Sequence, residues 1–414
     1  MRELASRISA YLSLALVAGV FLVHTVIPAA NNVSHGFMAY YVAGQTIREE
    51  PGTRLYDDAW FAARVIKESH GLVTDIYLAN PPALAVAWLP LSYLTAASAR
   101  RVWMAFSVLS LALSLWLIAQ ELRLSRRPWA VFAISALFTI PSPTREQFLL
   151  GQMYAFLLLL HVMGWRSYLK HRDAQAGIFL GLALVLKVSG WPIGVLLLAQ
   201  QRWVAVRWAL ATVLAGVLLS VPWVGLASWV MFLVDVIPRT LNRGAAVLTA
   251  YQDTTGFWQH LFRYVPSLNP RPLLDAPLLA TTLTLATILA AGLALTARSQ
   301  CWSLRFVAAV ALSELLSPAA EQYHYIILLL PLAVLWHSAS ASRDYSIAFC
   351  ALAATVLIAW PIDYKLAHPI WSLLHNYPRL IGGWITFAGL LIADRAAAPA
   401  REAIARPALA PTNP

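Results

Sequence analysis

The chain has 414 residues, 60% of them hydrophobic and only 12% charged, with a formal net charge of +11. Soluble domains average about 25% charged residues, so this composition excludes an ordinary soluble fold and points to a polytopic membrane protein. Lys and Arg fall in clusters between apolar runs, as loop asymmetry across a membrane requires, so the basic excess is read as topology and not as a nucleic-acid surface.

Apolar stretches of roughly 14 to 22 residues recur from Tyr11 to Ile392, and a hydrocarbon core of about 30 Å takes about 20 helical residues to cross. The runs are continuous, not alternating, so the predicted fold is all-α, a bundle of about 10–12 transmembrane helices. Residues 1–394 are expected to form one transmembrane domain, with 31–82 as a large first extracytoplasmic loop. Residues 395–414, rich in Ala and Pro, read as a disordered cytoplasmic tail. Cys301 and Cys350 lie in or beside apolar runs and indicate neither a disulfide framework nor a metal site.

Arg2 and Arg7 precede the first apolar run, and Ala29-Ala30 before Asn31 resembles a cleavage site. The run is too long for a signal-peptide core, so an uncleaved first helix is expected, its amino end in the cytoplasm. The first loop then begins at Asn31. Within it, "HGFMAYYVAGQTIREE" sets Phe37, Tyr40, Tyr41 and Gly44 at helical spacing and predicts an amphipathic helix on the bilayer surface. A second short helix is predicted from Asp57 to Ser69, where "YDDAWF" makes Asp57 and Asp58 either helix caps or cavity acids. Asp75 and Asn80 follow in "DIYLANPPALAVAWLP", whose double proline forces an extended entry into the next apolar run. A carboxylate beside a membrane cavity can act as a general base when desolvation raises its pKa.

Assigning the basic clusters at Arg123, Lys170 to Arg172, Arg202, Arg298 and Arg395 to the cytoplasm leaves the segments holding most of the acids, amides and His outside. Two places resist simple alternation. The run 83–95 contains Pro90 and is short for a full span, which leaves a complete or a partial crossing open. The stretch 174–199 lies between two basic clusters but cannot cross twice, which predicts a broken or re-entrant helix with Lys187 near the turn. An ammonium in hydrocarbon costs at least a few kcal/mol, so Lys187 is expected to meet an anion or a water-filled pocket, the alternative being snorkelling to the interface.

Further polar groups stand at the ends of apolar runs. In "PTREQFLLGQ", Arg145 and Gln152 sit at the outer end of a helix, either in an interfacial salt bridge or facing a cavity. In "AYQDTTGFWQHLFR", Gln252 and Asp253 belong to an amphipathic outer helix. In "ELLSPAAEQYHYIILLLP", Gln322 and His324 follow a Ser-Pro break and turn polar side chains toward the outer side. Arg145, Lys187 and His324 could hold an anion, and acids of the first loop could take a proton. No P-loop, GxGxxG after a strand, HExxH or GxSxG is present, which removes nucleotide-cradling and zinc-protease chemistry.

The ordered set "FMAYYVAGQTI", "LYDDAWF", "DIYLANPPALAVAWLPL", "TREQFLLGQMYAFLLLL", "GLALVLKVSGWPIGVLLL" and "LLSPAAEQYHYIILLLP" resembles glycosyltransferase family 87, membrane mannosyltransferase-like proteins of GT-C architecture. The resemblance covers roughly residues 30 to 335. It implies transfer of a sugar, mannose-like, from a polyprenyl-phosphate carrier to a lipid or glycan acceptor hydroxyl on the outer face of the cytoplasmic membrane, and the Ala- and Arg-rich composition points to a bacterial cytoplasmic membrane. It further implies an acid of the first outer loop as base and cations on the lipid phosphate. The departures are specific: Ser34, His35 and Gly36 stand where members often carry Asp, Gly151-Gln152 lie apart from Arg145-Glu146, and Tyr323-His324 replaces a His pair. The base is therefore assigned to Asp75, with Asp57 and Asp58 behind it. Arg145, Gln152, Lys187, Gln322 and His324 are assigned to the donor, and His35, Asn80, Gln252 and Asp253 to the rest of the cavity. The chemistry needs no metal or other cofactor, since phosphate is already a good leaving group. The competing readings are a transporter or lipid flippase, which shares broken helices and intramembrane Lys, and a noncatalytic relative. No internal repeat of the transporter kind is visible.

Overall fold

The computed structural model describes residues 2–50, 54–124, 142–242, 244–342, 344–360 and 376–405. Arg126, Arg127, Arg343 and Arg406, further basic residues that the sequence places in the cytoplasm, and Asp363, in a segment that it places on the outer side, lie outside the described residues. Among the described residues the chain is helical, with one isolated β-bridge between Val265 and Asn269 and no strand. The protein is an all-α polytopic membrane protein.

Six described helices are long and apolar enough to cross a bilayer: Ile8–Asn31, Ala96–Glu121, one starting at Trp203, Pro277–Thr296, Gln322–Ser342 and Pro378–Ala397. The pair Ser142–Leu150 and Tyr154–Leu169 passes the same test as one span bent by 118°. Shorter apolar pieces, Pro82–Tyr93 and Tyr345–Ala359, complete the set. The last helix runs from Pro378 to Ala405, into the segment expected to be a disordered tail, and residues 406–414 lie outside the description.

Local sequence explains where the helices start. Pro82, Pro192 and Pro277 stand in the first turns, where a missing N–H costs nothing. Thr95 caps Ala96–Glu121 by accepting from the Ser98 N–H at 3.3 Å, and Asp57 caps Asp58–Glu68 by accepting from Trp60 at 3.1 Å.

The stretch 174–199 folds as a hairpin whose two feet meet. Helix Asp173–Lys187 ends where Val188 adopts a left-handed conformation (φ 54°), and after Gly190 (φ 90°) helix Trp191–Ala199 returns. Asp173 pairs with Arg202 at 2.6 Å, and Gln200 accepts from the Tyr168 hydroxyl at 2.9 Å, so both ends lie beside the end of Tyr154–Leu169. The first arm is about 22 Å long at 1.5 Å per residue, short of the roughly 30 Å core. Lys187 at the apex therefore ends inside the bundle. Gly177 and Gly181 let this arm touch the Trp203–Met231 helix, since a Cβ there would lie 2.1 Å from Ala205 O and 2.6 Å from Ala209 O.

Helix Phe37–Glu49 differs from the amphipathic surface helix that its spacing predicts. Every residue from Phe37 to Ile47 is buried, and Gly44 packs against the Trp88 carbonyl at a distance that admits no Cβ. The second apolar face, invisible in a pattern of single residues, is covered by Pro82–Trp88 and the following turn. The Asp58–Glu68 helix is the more exposed of the two, with only Phe61 and Val65 buried.

Candidate active site

The first loop builds one wall. Gly36 sits at φ +70° ahead of Phe37–Glu49, a conformation open to glycine. Its N–H donates to Asp75 Oδ2 at 2.5 Å, and the Ile76 N–H donates to Asp75 Oδ1 at 2.9 Å. Asp75 thus occupies the start of that helix. Burial pushes the Asp75 carboxyl above the ordinary carboxylate range, while the two backbone donors and the positive charge of Lys187 pull it back.

The double proline fixes Asn80. The Asn80 carbonyl accepts from the Tyr56 hydroxyl at 2.7 Å and the Pro81 carbonyl from the Tyr77 hydroxyl at 3.0 Å, so backbone that cannot join a helix is held by side chains. Asn80 Oδ1 accepts from Lys187 Nζ. The ammonium also stands 5.5 Å from the Tyr40 ring centroid and 5.7 Å from that of Tyr154, cation–π contacts that replace part of its lost hydration.

Gln152 enters from the bend between Ser142–Leu150 and Tyr154–Leu169. Buried Gln147 shapes that bend, its amide donating to the Gln152 carbonyl and its Oε1 accepting from the Tyr154 N–H at 3.0 Å. Buried Arg100 braces it from behind, donating to the carbonyls of Ala29 (2.7 Å), Phe148 (2.9 Å) and Leu149 (2.8 Å). Gln152 Oε1 accepts from the Tyr40 hydroxyl. At Gly36 a Cβ would lie 2.1 Å from Gln152 Nε2, so the glycine and the amide are fitted to each other.

The turn after the Ser-Pro break closes the site. The Glu321 N–H donates to His324 Nδ1 at 3.0 Å in a reciprocal capping box. Accepting there leaves the imidazole proton on Nε2, so a neutral His324 is a donor at its outer nitrogen. The ring clusters with Tyr154 and Tyr323, their centroids 4.0 and 4.7 Å away.

A cavity of about 720 Å³ brings together Asp75, His35, Asn80, Gln152, Lys187 and His324. Glu321, Tyr40, Tyr154 and Tyr323 line it as well. Two of its wall residues, Ala79 (φ 68°) and Ala319 (φ 68°), hold left-handed backbone, as does Val188 at its edge; such strain persists only where surroundings enforce it, and it concentrates at functional sites.

The remaining expected site residues lie off the cavity wall. Asp57 is the helix cap already described, and Asp58 pairs with Arg239 at 3.0 Å. Arg145 is half exposed and pairs with its neighbour Glu146 at 3.3 Å. Gln322 accepts from Ser142 Oγ at 2.9 Å. Buried Gln252 donates to the carbonyls of Thr249 and Asn376, at 2.6 and 2.8 Å. Asp253 caps Thr254–Phe262 and accepts from the Ala320 N–H at 3.1 Å. These last two hold the 319–321 turn in place without reaching the hollow. In the sequence Tyr40 reads only as part of a surface helix and Tyr154 does not stand out, because an aromatic in an apolar helix carries no signal separating a site wall from ordinary core.

Residues 77–318 match the family profile described as Glycosyltransferase family 87. No curated protein and no solved structure matches the chain.

Proposed function

Because the chain belongs to glycosyltransferase family 87, a family of membrane glycosyltransferases, we propose that it transfers a sugar from a polyprenyl-phosphate carrier to an acceptor hydroxyl, with inversion, in the cavity between Asp75 and Lys187. Asp75 takes the acceptor proton as the hydroxyl oxygen attacks the anomeric carbon. The bond from that carbon to the phosphate oxygen breaks on the opposite side, and its electron pair leaves on the phosphate. Lys187 and the His324 Nε2–H stabilise the developing phosphate charge, while Gln152, His35 and Asn80 orient sugar and carrier. The proton on Asp75 passes to water when the product departs.

The single observation that carries this reading is the juxtaposition of a backbone-held acid and an aromatic-flanked ammonium in one hollow of about 720 Å³. Gln252, Asp253 and Gln322 support the turn that carries His324, whereas Asp57, Asp58 and Arg145 are given no part in the transfer. The cavity is assigned to the extracytoplasmic side, because Arg166, Lys170, Arg172 and Arg202 collect at the opposite ends of the helices that deliver Tyr154 and Lys187. On that orientation the cavity opens to the outer face of the bacterial cytoplasmic membrane, where a lipid or glycan acceptor is met.

The test is transfer of labelled sugar from a polyprenyl-phosphate donor in membranes containing the full chain. Loss of product in Asp75→Asn and Lys187→Ala supports the assignment. Full transfer by both variants overturns it, and lipid flux in proteoliposomes without product would favour a flippase.

A further inference from the structure

At the end of the bundle away from the active-site cavity, a second hollow of about 610 Å³ opens between helices Ala96–Glu121, Tyr154–Leu169 and Asp173–Lys187. Its floor includes Leu113, Leu117 and Phe179, and its rim carries Arg166, Lys170 and Arg172. Arg166 lies 12 residues beyond Tyr154 on one helix, about 18 Å along its axis, so the two hollows are at different depths.

The charges at the rim do not cancel. Glu121 faces two of the cations, with Oε1 2.7 Å from Arg166 Nε and 3.2 Å from Lys170 Nζ. Asp173, the other nearby acid, is engaged by Arg202 at 2.6 Å. Three cations against Glu121 leave a positive rim above an apolar floor. That floor is continuous with a lipid-exposed flank of the Ala96–Glu121 helix, where Leu109 is 67% and Trp116 54% exposed on the same side as Leu113.

We propose that this groove binds the phosphate headgroup of an anionic phospholipid from the surrounding leaflet, its acyl chains lying along the Leu109–Trp116 flank. A positive rim beside a greasy slot between helices suits a molecule that is anionic at one end and apolar at the other. A soluble phosphate satisfies only the first half of that description. The inference is independent of the glycosyl-transfer reading.

The experiment is native mass spectrometry of the full-length protein released from detergent micelles, titrated separately with phosphatidylglycerol, phosphatidylcholine and inorganic phosphate. Wild type is expected to retain phosphatidylglycerol in preference to phosphatidylcholine and to ignore inorganic phosphate. Each rim cation removed, in Lys170→Gln or Arg172→Gln, should weaken retention about fivefold. Glu121→Gln releases Arg166 and Lys170 from their carboxylate and should strengthen it, a gain that no unfolding artefact can imitate. Equal retention of both lipids, retention of inorganic phosphate, undiminished binding in the rim variants or no gain in Glu121→Gln would each overturn the proposal.

Discussion

Replacing Asp75 by Asn keeps the shape of the side chain and removes its ability to take a proton. The carboxylate receives one backbone N–H on each oxygen, from Gly36 at 2.5 Å and Ile76 at 2.9 Å. An amide can accept only through its single carbonyl oxygen, so one of these bonds is lost, at a cost of about 1 kcal/mol. Against this, burial raises the Asp75 pKa in the fold. A carboxyl raised in the folded state adds stability below its unfolded pKa, and that stability is lost as pH rises through the folded value. Above the unfolded pKa the buried carboxyl is therefore a burden that Asn lifts. The two effects oppose, and the variant is expected to unfold within a few degrees of wild type. Catalysis should behave differently, because loss of a general base costs about 10²–10⁴ in rate, or about 2.7–5.5 kcal/mol of barrier. The assay is initial rate of labelled-sugar transfer at saturating donor, alongside thermal unfolding in the same detergent. In wild type the rate should fall on acidification with a midpoint above about 3.9, the ordinary Asp value, and the residual rate of Asp75→Asn should lack that limb. A variant with more than a tenth of wild-type rate, or with the acid limb intact, would refute the role given to Asp75.

Three other changes probe the same architecture. Lys187→Met keeps a long apolar stem but removes the charge beside the leaving phosphate, and kcat should drop about 10²–10³-fold; Lys187→Arg should restore only part, since a planar guanidinium does not fit the slot between Tyr40 and Tyr154. Gly36→Ala puts a methyl at φ +70° and against Gln152 Nε2, which should cost about 1–3 kcal/mol of stability and raise KM for the donor, read by thermal unfolding and steady-state kinetics. Arg100→Leu strips the side-chain donor from the carbonyls of Ala29, Phe148 and Leu149; Phe148 keeps the Gly151 N–H at 3.2 Å, but at about 1–3 kcal/mol for a buried group left unpaired the unfolding temperature should still fall by several degrees, and an unchanged value would show that the bend holds without it.

Much of the fold could be read along the chain, and the reason is that lipid is an unforgiving solvent. Continuous apolar runs can only be helices there, and 26 residues between basic clusters cannot cross twice, so the hairpin with Lys187 at its apex was implied by length alone. Lys187 stood out because a charge in hydrocarbon needs a reason, and Asp75 because two prolines pin the backbone just behind it. Selection among the remaining polar groups was not legible. Arg145, Gln147 and Gln152 lie within eight positions, but a bend of 118° turns Gln152 into the hollow, sinks Gln147 beneath it and leaves Arg145 outside. In the tight turn Gln322–Leu328 the same happens over two residues, Gln322 going to Ser142 and His324 to the cavity.

The amino-acid sequence by itself determined that this protein lives in a membrane, that its helices break near Lys187 and Pro81, and that acids and cations gather at loop ends. Each of these follows from the cost of exposing a backbone amide or a charge to hydrocarbon, a local property. Which acid meets which cation was decided only by tertiary structure, because the direction of a side chain around a helix axis depends on bends, left-handed residues and neighbouring surfaces from distant parts of the chain. Asp75 reaches the start of a helix 39 residues before it, and no local rule encodes that meeting.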